Sequence, residues 1–146
     1  DQRAFLKTLV VFWLLGATDG HAKNFSLCLF PAGGYRMTRL YDILSAQPYV
    51  DAGQIRRDRM RLAMAVGTHR HYEIDTIVPR HFIQMAPDIG ISQATVLDIF
   101  SAVQATGSAA LDQTLAELPA GFPAYIANSI ADGFRLRLAQ LADLET

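Results

Sequence analysis

The sequence has a single cysteine, Cys28, in 146 residues. One thiol cannot build an internal disulfide framework, so the core must hold the fold, and a reducing, cytoplasmic setting is the expectation. An excess of charge is missing too: thirteen Lys and Arg stand against fourteen Asp and Glu, a formal net charge of −1. No global field would hold such a chain on DNA or on an anionic membrane, so any contact with nucleic acid has to be local. Long apolar runs are also lacking. The stretch Leu9 to Leu15 is far shorter than the roughly 20 residues that cross a bilayer. No basic region with a small-residue cleavage site precedes it. It reads as a buried core helix, and no membrane partner is expected. Repeats, low-complexity tracts and linkers are absent as well. What is present is a chain 51% hydrophobic with a mean hydropathy of +0.16. That supports one domain over residues 1–146, long enough to bury about 70% of its unfolded surface.

Phe5, Leu6, Leu9, Val10, Trp13 and Leu14 recur at helical spacing from the first residues. With Asp rather than Met at position 1, the text reads as a piece of a longer protein. This first helix should end near Gly16, a suitable C-terminal cap. Ala17 to Asn24 then reads as a loop. Phe25 to Phe30 and Tyr35 to Tyr41 are two runs of strand formers around Pro31-Ala32-Gly33-Gly34, the signature of a hairpin. A polar, poorly periodic stretch through Arg61 is expected to wrap the surface. The remainder reads as helices: Ile74 to Met85 with Pro79 in a first turn, a longer one after Ser92 as N-cap with Gly107 placed to bend or break it, and a last amphipathic one carrying Ile126, Ile130, Phe134, Leu138 and Leu141. The fold class is mainly α with a small β-hairpin.

Chemistry concentrates in Thr18-Asp19-Gly20-His21-Ala22-Lys23-Asn24 and in Asp42 beyond the hairpin. Asp19 and Asn24 have the Asp-x-x-x-x-Asn spacing of a kinase catalytic loop, which sets a carboxylate at the acceptor hydroxyl and an amide oxygen at a metal. Mg²⁺ takes hard oxygen ligands, typically one or two carboxylates with phosphates and water. Two strands that leave and return bring Asn24 and Asp42 to the same open end, where both could reach one metal. Lys23 adds a positive charge that could neutralise a transferred phosphoryl group. Asp, Gly and Asn are common loop residues, and a bare match of this spacing is more often turn chemistry. Asp42 could equally be a helix cap or a buried, hydrogen-bonded acid. His21 reads as structural, packing or bonding the loop backbone, with a role in the catalytic loop as the alternative. Cys28 reads as a packed or half-buried thiol rather than a nucleophile. Arg56, Arg57, Arg59 and Arg61 form the other conspicuous cluster, either a solvated face or a local anion contact with DNA, an acidic partner or substrate. His69 and His71 lack the ligand partners of a zinc site.

Ala17 to Ser26, Tyr41-Asp42-Ile43-Leu44-Ser45, Leu62-Ala63-Met64 and Pro79-Arg80-His81-Phe82 together resemble the carboxy-terminal helical lobe of HipA-type serine/threonine kinases of bacterial toxin–antitoxin systems. The likeness runs through nearly the whole chain. It implies the helical lobe of a protein-kinase-like fold, with Asp19 as catalytic aspartate, Asn24 and Asp42 as magnesium ligands, and ATP as co-substrate. It also implies a protein substrate phosphorylated on Ser or Thr, in some members an aminoacyl-tRNA synthetase, and a helix-turn-helix antitoxin partner. The amino-terminal lobe that covers the ATP phosphates has no counterpart in this text, so the 146 residues alone are expected to be inactive. Two other readings stay open: a non-catalytic lobe that binds an antitoxin or DNA, and a small-molecule phosphotransferase using the same Asp/Asn/Asp logic.

Overall fold

The computed structural model describes residues 1–143. Helix α1 (Gln2–Leu15) buries Leu6, Leu9, Val10, Phe12, Trp13 and Leu14, as the spacing of its apolar residues requires. It ends where the sequence places its end. Gly16 adopts a left-handed φ of 64°, its N–H donates to the Trp13 carbonyl at 3.1 Å, and that of Ala17 donates to the Phe12 carbonyl at 2.8 Å, which satisfies two of the orphan carbonyls of the last turn. The loop follows, closed by a 3-10 turn over Ala22–Asn24.

The expected hairpin is real but short. β1 (Leu27–Leu29) and β2 (Tyr35–Met37) pair antiparallel with Cys28 opposite Arg36. The Thr38 N–H extends the pairing to the Ser26 carbonyl at 2.9 Å. Both faces of β1 are open to solvent, so Cys28 is exposed. The expectation of a packed thiol is corrected: a two-stranded ribbon with nothing on either face cannot bury one.

The stretch expected to wrap the surface contains a short helix, α2 (Gln47–Asp51), and runs into a second hairpin that the sequence reading lacked. β3 (Arg61–Val66) and β4 (His71–Glu73) pair antiparallel with an irregularity between Arg61 and Val66. The architecture is therefore mostly helical with two small antiparallel sheets. Three further helices complete it: α3 (Pro79–Met85), α4 (Gln93–Ala116) and α5 (Ala124–Gln140). Pro79 stands in the first turn of α3, and the Ser92 hydroxyl caps α4 by accepting from the Thr95 N–H at 3.1 Å. Gly107 neither bends nor breaks α4, which is continuous through it. A Cβ there would come within 3.2 Å of Leu138, so the missing side chain serves the close approach of α5. By length and composition α4 could cross a bilayer, but its Val96, Ile99, Phe100 and Val103 are buried in the core.

The core centres on Trp13, whose ring lies 5.8 Å from that of Phe82, which in turn meets Phe100 edge-on at 6.2 Å. The Trp13 indole N–H donates to the Ile74 carbonyl at 3.1 Å, pinning the turn that follows β4 to α1. Beside it the His71 and His81 rings stack at 3.6 Å, and the Val78 N–H donates to Nδ1 of His81 at 3.3 Å. That bond needs His81 neutral at Nδ1. Burial lowers the His81 pKa, and the charges of His71, Arg80 and His69 lower it further.

A histidine whose folded pKa is depressed binds its proton more readily in the unfolded chain, so stability falls as pH drops below the unfolded value of about 6.5. Urea unfolding should show a lower stability at pH 5.5 than at pH 7.5, and His81→Gln should be less stable at pH 7.5 but flatter across that interval. A wild-type protein that gains stability on acidification would contradict this account of the His81 environment.

Candidate active-site loop

The loop between α1 and β1 lies on α1 because its residues pack there. The Phe25 ring is 4.9 Å from Phe5 and 6.0 Å from Phe12. Gly20 lies so close to Phe12 that a Cβ would fall 2.3 Å from the ring, which no side chain could occupy without moving the loop. The position between Asp19 and His21 is thus restricted to glycine by contact rather than by backbone torsion.

Asn24 joins the parts. It is 5% exposed, so its amide has to find partners, and it finds them on both sides of the hairpin. Its Nδ2 donates to the Asp19 carbonyl at 3.0 Å and to the Asp42 carboxylate at 3.1 Å. Asn24 and Asp42, eighteen residues apart, do meet at the open end of the β1–β2 ribbon. The Ser26 and Tyr41 hydroxyls close that end at 2.8 Å, and the Tyr41 hydroxyl also donates to the Lys23 carbonyl at 3.3 Å.

Asp42 itself is exposed and caps no helix, so neither of its alternative readings fits. Its φ of 56° lies in the left-handed region, which costs an L-residue roughly 1 kcal/mol and costs Asp and Asn least. Strain of this kind collects at functional positions. The Asp19 carboxylate is half-exposed, with His21 Nε2 3.3 Å from its Oδ1. The His21 ring thus sits beside the candidate acid. Lys23 is exposed, in the 3-10 turn between His21 and Asn24.

The flanks of the site are tied together from the far end of the chain. Arg137 of α5, 3% exposed, donates from Nε to the Leu14 carbonyl at 3.0 Å and from Nη1 to Oε1 of Gln47 at 3.0 Å. The Ser45 hydroxyl donates to the Leu15 carbonyl at 2.6 Å, and the Ala46 N–H to the Gly16 carbonyl at 3.0 Å. A cation at the carbonyl end of α1 also suits the helix dipole. The segment entering the loop and the segment leaving Asp42 are thereby fastened to one another. Sequence reading missed Arg137 and Gln47; the available signal was an arginine at helical spacing from Ile130, Phe134 and Leu141 on the apolar face of the last helix, whereas Gln47 in a polar stretch gave none.

An apolar cavity of about 440 Å³ lies elsewhere, between α1, α4 and α5, lined by Val11, Leu15, Leu115, Ile130 and Phe134 among others. It holds none of the loop's chemistry. Among the described residues no group of three or more His, Cys, Asp or Glu is placed to hold a metal, so Asn24 and Asp42 would not by themselves complete an ion's coordination.

Comparison with known proteins adds the decisive observation: residues 1–111 match the family model of the HipA-like C-terminal domain. The chain belongs to that family. In the solved HipA of Shewanella oneidensis MR-1, determined as a complex with HipB and operator DNA, a HipA-like fold superposes on this one with a TM-score of 0.74 at 20% identity, covering 97% of this chain. This HipA-like chain spans 31% of the length of that one. The likeness includes α5, which lies outside the family-model match and carries Arg137.

Arg137→Met fills similar space but strands the Leu14 carbonyl and the Gln47 amide oxygen. It should lower stability by about 2–4 kcal/mol, read by urea unfolding on the fluorescence of Trp13, the single tryptophan. A loss below about 0.5 kcal/mol would show that the clamp is dispensable.

Proposed function

We propose that this HipA-like domain is the catalytic-loop half of a serine/threonine protein kinase, the toxin of a toxin–antitoxin pair, transferring a phosphoryl group from ATP to a protein hydroxyl in the cytoplasm. One observation carries the reading: a buried asparagine amide bonds the Asp19 backbone and the Asp42 carboxylate at once, so the three residues of the motif form one unit. Phosphoryl transfer asks a protein mainly for positioning and charge stabilisation, and a hydrogen-bonded unit with one exposed and one half-exposed carboxylate suits that demand.

In this reading the Asp19 carboxylate accepts the proton of the attacking hydroxyl as its oxygen bonds to the γ-phosphorus and ADP departs. His21, beside Oδ1 of Asp19, holds that carboxylate in its orientation. Asn24 and Asp42 are the residues that would hold Mg²⁺. They fit it in part: Asp42 offers an exposed carboxylate, while Asn24 presents its amide nitrogen to Asp42 and would have to present its oxygen to a cation there. When bound, Mg²⁺ supplies charge neutralisation at the phosphates. Lys23 adds positive charge to the exposed rim of the loop. The remaining two-thirds of a HipA-length chain would supply the rest of the ATP site, and a helix-turn-helix antitoxin is the proposed partner.

In the full-length protein, Asp19→Asn and Asp42→Asn should each lower transfer of the γ-phosphate by at least about 100-fold while the unfolding temperature stays near that of the wild type. Normal transfer with both acids replaced would contradict the assignment. Antitoxin binding by a wild-type protein that transfers no phosphate, to protein or to metabolite, would favour a non-catalytic interaction module instead.

A further inference from the structure

The charge of this protein is segregated. Between Arg56 and Arg80 stand six arginines, no lysine and three carboxylates, so a chain of net −1 carries +3 in these 25 residues and −4 in the rest. The structure then sorts the arginines. Arg56 pairs with Asp58 at 2.8 Å and Arg57 forks onto Asp75 at 2.6 and 3.2 Å, which neutralises the half of the cluster most visible in sequence. Arg59, Arg61 and Arg70 are exposed and form no ion pair with a described residue. Arg61 lies over the Tyr72 ring, 5.5 Å from its centroid, and Arg70 donates to the Tyr72 hydroxyl at 3.1 Å. One tyrosine thus holds two guanidinium groups, one at its face and one at its hydroxyl end, with Arg70 projected by a left-handed turn residue of φ 57°. The carboxylate that remains nearby is Glu73, opposite Arg61 in the ladder.

We propose that the β3–β4 hairpin, with Arg59 in the turn just before β3, is a polyanion-binding face for the phosphodiester backbone of a nucleic acid, contacted through Arg59, Arg61 and Arg70 without reading sequence. The composition of the face favours this partner over a protein. No apolar residue between positions 56 and 80 is exposed, whereas protein interfaces need a desolvated apolar centre, and interfaces with nucleic acid are polar and strongly positive. The β1–β2 hairpin offers the contrast, exposing Leu27, Leu29, Phe30 and Tyr35. Guanidinium forks match phosphate oxygens two at a time, and an arginine already ordered on a tyrosine loses less freedom on binding.

The test uses the full-length protein without antitoxin, a short fluorescent duplex of mixed sequence, and a salt titration. Replacing Arg59, Arg61 and Arg70 together by alanine should weaken binding about 10- to 100-fold and make the slope of log affinity against log salt shallower by about 2 to 3. Arg56→Ala with Arg57→Ala should change both far less, because those side chains are already paired. Unfolding temperatures confirm that both variants fold. The proposal is overturned if the wild type does not bind, if the triple variant binds with the wild-type slope, or if the double variant loses as much as the triple. It is equally overturned if polyglutamate at the same charge concentration displaces the duplex, which would mark the face as a site for acidic protein. Phosphoryl transfer is not read, so the outcome is independent of the kinase assignment.

Discussion

A buried guanidinium at the end of α1 is the constraint on which the candidate site depends. Arg137 is almost wholly out of water, and burial pulls its pKa down to about 10, so its charge is held at a cost. Bonds from Nε to the Leu14 carbonyl and from Nη1 to Gln47 offset part of that cost, because a helix end leaves carbonyls that need donors, while Nη2 is buried with no hydrogen-bond partner among the described residues. Gly133 is part of the same arrangement: a Cβ there would lie 2.7 Å from both Arg137 and Gln47. The last helix thus fixes the exit of the first, 123 residues earlier, and with it the point from which the loop departs.

From that fixed point the site needs little more. Phe25 and Gly20 seat the loop on α1, and the Ser45 and Ala46 bonds return the chain to the same place after the hairpin. Asn24 and Asp42 are then brought together by the shortest available device, a ribbon of three paired residues per strand. Rigidity below and exposure above follow from one design: the amide is buried and satisfied, while the carboxylates of Asp19 and Asp42 remain open to a ligand. The second hairpin differs in character from the first, presenting exposed arginines on a polar ribbon where the first exposes Leu27, Leu29 and Tyr35.

Much of this was legible in sequence where local chemistry decides the outcome. Helical periodicity and Gly16 gave α1 its end, Ser92 gave α4 its start, and the Pro-Ala-Gly-Gly turn placed Asn24 opposite Asp42. What stayed hidden depended on distant partners. β3 was obscured because Arg61-Leu62-Ala63-Met64-Ala65-Val66 alternates weakly and carries two alanines, poor strand formers. Gly107 read as a breaker because its tolerance comes from Leu138 on another helix. Arg137 carries no local mark of its partners Leu14 and Gln47, and the Arg56 to Arg61 run read as one patch, because ion pairs such as Arg57 with Asp75 exist only once the second hairpin has formed.

The central claim is that Asn24 and Asp42 act as one cation-holding pair. Its most direct test is magnetic. With side-chain amides of the full-length protein labelled by ¹⁵N and ATP present, substoichiometric Mn²⁺ should broaden the Asn24 amide resonances first, and Asp42→Asn should remove that effect while leaving the fold intact. Broadening centred elsewhere, with Asn24 untouched and no sensitivity to Asp42, would contradict the account.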